Sequence, residues 1–84
     1  GNTNFYRVLS ESGIAVNYPT ALTKLLLHVL RKATRPFWHC NEVEKLIEIL
    51  LGTSAPRSTL TEACNELARL GCTDATKLGS LCQP

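Results

Sequence analysis

Lys24, His28, Arg31, Lys32 and Arg35 recur at i, i+4, i+7, i+8 and i+11. On a helix that spacing lines them along one face. A strip of cations can hold an acidic peptide, an acidic helix or a phosphate backbone by charge. It can equally sit in water, with its cations favoured by the negative end of the helix dipole. Phe37 and Trp38 follow directly, beside His39. Aromatic residues near arginine are common anchors at protein interfaces, and they are also what a small core uses to close over a junction. Lys24, His28, Arg31, Lys32, Arg35, Phe37 and Trp38 therefore form the candidate partner-binding set.

The other reactive side chains do not assemble into chemistry. The chain has no Gly-x-Ser-x-Gly, no Gly-rich phosphate loop and no His-Glu-x-x-His. Ser10-Glu11-Ser12 and His39-Cys40 contain nucleophiles and bases, but sequence neighbours point in different directions and a nucleophile needs its base within hydrogen-bond reach. The expectation is a non-catalytic protein with no cofactor. The four cysteines, Cys40, Cys64, Cys72 and Cys82, lack a Cys-x-x-Cys pair, so no metal site is expected. They could form two disulfides in three pairings. Cys64 falls on the stripe Leu60, Ala63, Cys64 and Leu67, and Cys82 continues Ala75, Leu78 and Leu81. Cys72 follows Gly71, where an apolar residue packs back on a finished helix. Those positions favour reduced, buried thiols, which behave as small hydrophobes.

Helices must position these residues. Phe5, Val8 and Leu9 give one face of a first helix, from about Thr3 to Ser12 and stopped by Gly13. Ala15 to Tyr18 reads as a connector. Leu22, Leu25, Leu26, Val29, Leu30 and Ala33 define a second helix over about 19–34, opened by Pro19 and closed by Pro36. Leu27 is its misfit, lying between the apolar and basic faces. Asn41 with Glu44, and Thr59 with Glu62, resemble capping boxes for a third helix to about Leu51 and a fourth to Gly71. Val43, Leu46, Ile47, Ile49, Leu50 and Leu51 wrap more than half of the third helix, which places it at the centre of the fold. A short fifth helix is expected over Asp74–Cys82.

The apolar patterns of the first two helices recur in the next two. This points to one all-α domain over residues 1–84: a compact bundle of four main helices plus a short C-terminal one, arranged as two helical hairpins. The hairpins resemble HEAT or armadillo units in length and leucine pattern, which would make the chain part of a longer helical-repeat protein. The length and pattern also fit a death-fold-like bundle. Thr59–Gly71 resembles the recognition helix of winged-helix DNA-binding domains, but Glu62, Asn65, Glu66 and Arg69 would turn net negative charge toward phosphates.

Charge is uneven along the chain. Arg7, Lys24, Arg31, Lys32 and Arg35 face only Glu11 before residue 37, whereas acids outnumber bases after it. No apolar run reaches the length of a membrane span. The expected function is a protein–protein interaction module, an adaptor or scaffold in the cytoplasm or nucleus. It would receive an acidic segment of another protein, or pair with a second copy of itself. Two alternatives are a secreted, disulfide-linked helical carrier of a lipid or small apolar ligand, and a nucleic-acid-binding domain, the latter weakened by the lack of aromatics within the strip.

Overall fold

The structure, a computed structural model, describes residues 5–72. These residues form α1 (Phe5–Glu11), α2 (Ile14–Asn17), α3 (Pro19–Lys32), α4 (Cys40–Leu51) and α5 (Arg57–Arg69). No strand occurs among the described residues, so they are all-α as expected. The helix expected over Asp74–Cys82 lies outside them.

Gly13 ends α1 with φ 80°, a left-handed value that glycine adopts without a Cβ clash. The expected connector after it is α2, a single helical turn in which the Tyr18 amide donates to the Ile14 carbonyl at 2.7 Å. Pro19 then opens α3 where its missing N–H is not needed. Gly71, at φ 91°, closes α5. The Gly71 and Cys72 amides donate back to Ala68 and Leu67 at 3.1 and 3.0 Å, the paired bonds of a Schellman motif.

Neither capping box forms. α4 starts at Cys40 after His39, and α5 at Arg57 after Pro56, in both cases without a side-chain capping bond. Asn41 and Thr59 consequently lie inside the first turn rather than before it. The extended Pro56, at ψ 123°, sets the start of α5 two residues ahead of Thr59.

The core gathers Leu22, Leu26, Leu27 and Leu30 from α3, Val43, Leu46, Ile47 and Leu50 from α4, and Leu60, Ala63, Cys64 and Leu67 from α5. The largest interfaces join α3 to α5 and α1 to α4, while α2 touches α1, α3 and α4. The two largest interfaces thus join helices that are not consecutive, while α4 also packs on α5, the pair expected as the second hairpin. The turn of α2 carries the chain away from α1, so α3 is not laid back on it. α4 meets α1, α2 and α5, which accounts for its wide apolar arc.

Two helices sit at a different rotation from the one expected. In α1 the buried residues are Tyr6 and Leu9, while Phe5 and Val8 stay 46% and 43% exposed. In α3 Leu27 is buried and Leu25 is 43% exposed. Thr23 is also fully buried, its hydroxyl donating to the Pro19 carbonyl at 2.6 Å.

Candidate functional site

On α3 the exposed residues include Ala21, Lys24, Leu25, His28, Arg31 and Lys32. The strip is therefore present, but it is not purely cationic. Leu25 stands among the bases, giving Ala21, Leu25, His28 and Lys32 at i, i+4, i+7 and i+11 along one outward line.

The cations of the candidate set fall into two chemical classes. Arg31 Nη2 reaches Glu62 Oε1 of α5 at 3.2 Å, an exposed ion pair that ties α3 to its main neighbour. Arg35 Nε donates to the Arg69 carbonyl at the end of α5 at 2.9 Å. Arg69 reciprocates: its Nη2 donates to the Leu30 and Ala33 carbonyls at 2.9 and 3.0 Å, and its Nε meets Glu66 at 2.8 Å. The last carbonyls of a helix have no partner within it, so Arg35, from the loop after α3, caps the end of α5, and Arg69, in the last turn of α5, caps the end of α3. Arg57 does the same for α4, donating to the Leu51 carbonyl at 2.7 Å. In contrast, no ion pair among the described residues engages Lys24, His28 or Lys32.

The loop after α3 separates the two aromatic candidates. Phe37 is half-buried, its ring edge-on to Tyr6 at 6.1 Å and to His39 at 5.7 Å. It acts as the lid over the junction between α1 and α4. Burial raises the Tyr6 phenol above its ordinary pKa. Trp38 does not join the cluster and is 80% exposed. Phe5 stacks edge-on against Tyr6 at 5.5 Å, so four of the chain's five aromatic residues lie at or next to this end.

The loop is tied to α5 along its length. Arg69 holds its start and Arg35 its middle, lying over Gly71. A disulfide between Cys40 and Cys72 holds its end, with the two Cα atoms 5.5 Å apart. Reduced thiols at these two positions were the expectation, and the bridge corrects it. The fold brings the first turn of α4 onto the Schellman turn of α5, a proximity that no local spacing reveals. The same turn buries Cys72, as its position after Gly71 implied. Cys64 lies in the core on the stripe expected of it.

A surface cleft of about 330 Å³ between α1 and α4 is lined by Arg7, Ser10, Glu11, Glu42 and Lys45. Arg7 and Glu11 pair within it at 3.0 Å, and the lining is of mixed charge. Among the described residues no cluster of three His, Cys, Asp or Glu side chains could hold a metal ion. No described helix is long and apolar enough to cross a membrane. Comparison with protein-family models, with curated proteins and with solved structures finds no match to this chain.

Proposed function

We propose that this domain is a non-catalytic protein–protein interaction module that receives an acidic amphipathic segment on the outer face of α3. The reading is carried by one observation: Lys24, His28 and Lys32 surround the exposed Leu25 with no ion-pair partner among the described residues. An acidic helix bearing an apolar residue would match both the charge and the central leucine. Trp38, exposed in the loop that follows α3, supplies a large ring able to bury much area on contact. Arg31 and Arg35, exposed but already engaged with Glu62 and the Arg69 carbonyl, are supporting rather than principal contacts of this surface.

The test uses a fluorescein-labelled helical peptide of Glu, Leu and Ala with Leu on one face. Binding at low ionic strength should weaken at least about ten-fold in K24E/K32E and fall steeply with salt. Thermal unfolding of that variant should stay within about 0.5 kcal/mol of the parent, because both lysines are surface residues. Affinity unchanged by the charge reversal, or no binding even at low salt, rejects the proposed face.

The disulfide favours an oxidising compartment for this module over the cytoplasm or nucleus. It also lends some weight to the secreted-carrier reading. The described cleft, however, is polar and open at the surface, unlike the apolar enclosure a lipid requires.

A further inference from the structure

The loop bearing Trp38 and the first turn of α4 share one feature that the binding surface does not explain. α4 begins at Cys40 without a side-chain capping bond. Its first residues, Cys40, Asn41 and Glu42, are exposed or half-buried. An uncapped helix start on the surface tends to fray, because its leading amides have no partner within the helix. Here the Cys40–Cys72 bridge fastens that start to the end of α5.

We propose that this bridge is a redox latch that holds Trp38 and the first turn of α4 in place, while the core beneath stands without it. The proposal rests on reading Trp38 as part of the binding surface. Leu26, Leu46, Ile47, Leu50 and Leu60 are fully buried and lie outside the latched segment. Arg69 bonds the Leu30 and Ala33 carbonyls directly, a tie between α5 and the end of α3 that does not pass through the sulfurs.

Cys40 is the accessible end of the bridge, since it is half-buried whereas Cys72 is 5% exposed. A dithiol reductant would attack the Cys40 sulfur as a thiolate. The S–S bond breaks, Cys72 departs as a thiolate and takes a proton from water, and a mixed disulfide forms on Cys40. The second thiol of the reductant, as its thiolate, then displaces Cys40, which leaves as a thiolate and is protonated in turn. The reductant ends as a disulfide, and two electrons have passed to the protein. In this state the first turn of α4 can fray and lengthen the loop, so that Trp38 loses its fixed position.

Trp38 is the only tryptophan of the chain, so its fluorescence reports on the loop alone. The full chain is compared before and after dithiothreitol treatment, alongside C40S/C72S without reductant. Both reduced and substituted protein should retain helical circular dichroism while Trp38 anisotropy falls. Chymotryptic cleavage after Phe37 or Trp38 should accelerate about ten-fold or more, as expected where local opening becomes easier. Unchanged anisotropy and cleavage would show that the bridge does not hold the loop. Loss of helical signal in either sample would show a global staple instead, and either result overturns the latch. These readouts need no partner, so failure of the latch is distinguishable from failure of the acidic-peptide binding.

Discussion

Every arginine among the described residues, though exposed, bonds its guanidinium to another group of the same chain. Arg7 and Arg31 pair with glutamates, while Arg35, Arg57 and Arg69 cap helix ends. The described lysines enter no ion pair. The division follows from side-chain chemistry: a planar fork of donors can span two carbonyls, whereas an ammonium is a compact, strongly hydrated charge. Arg69 carries the most, bonding Leu30, Ala33 and Glu66 at once. We expect Arg69→Ala to cost about 1–3 kcal/mol, since it removes charge-assisted bonds from half-exposed positions. Arg69→Lys should recover only part of that, because one ammonium cannot reproduce the fork. Urea midpoints of the three proteins provide the measurement. Equal midpoints for the lysine variant and the parent would mean that charge alone, not the fork, stabilises this junction.

For the helices, the decisive quantity is rotation about the axis. α3 has more leucines than its buried arc can hold, so either Leu25 or Leu27 must face outward. α3 contacts α2 and α5, and the resulting arc takes in Leu22, Leu26, Leu27 and Leu30. Leu26→Ala should therefore cost about 2–5 kcal/mol by leaving a cavity in a site with no exposure. Leu25→Ala should cost under about 1 kcal/mol, since its side chain is already 43% exposed. Denaturant unfolding of both variants checks this, and a reversal of the two costs would place the helix at another rotation. Leu25→Ala should also weaken the acidic peptide, which separates a binding leucine from a structural one.

Considered as a whole, a chain of 84 residues folds on its buried leucines and Ile47, and the bridge adds a margin of stability to a core that stands without it. The bridge joins residues 32 apart and closes a loop through α4 and α5. Restricting the unfolded chain in this way contributes about 3–4 kcal/mol in the chain-entropy account. Reduction should then lower the unfolding temperature by about 4–8 °C for each kcal/mol lost, read from melts with and without reductant. A shift of only a degree or two would indicate that the unfolded chain already keeps these helices close.

The amino-acid pattern alone determined the helical class, the course of α3, α4 and α5, the stops at Gly13 and Gly71, and most of the buried positions on α4 and α5. Those features are local: glycine at positive φ, proline at a first turn and apolar residues at helical spacing act within a few residues of chain. It also found the cations of α3, because i, i+4 spacing needs no neighbour to be read. Tertiary contact decided what depends on proximity. Which leucine of α3 and which rings of α1 turn inward is set by the helices packed against them. Tyr6 was missed because Phe5, Val8 and Leu9 form an equally good stripe until α4 arrives. Where α4 and α5 begin depends on how the loops before them end, while the Arg35 and Arg69 caps on C-terminal carbonyls and the Cys40–Cys72 bridge join segments more than 30 residues apart. Periodicity records which residues share a face; only packing shows what that face meets.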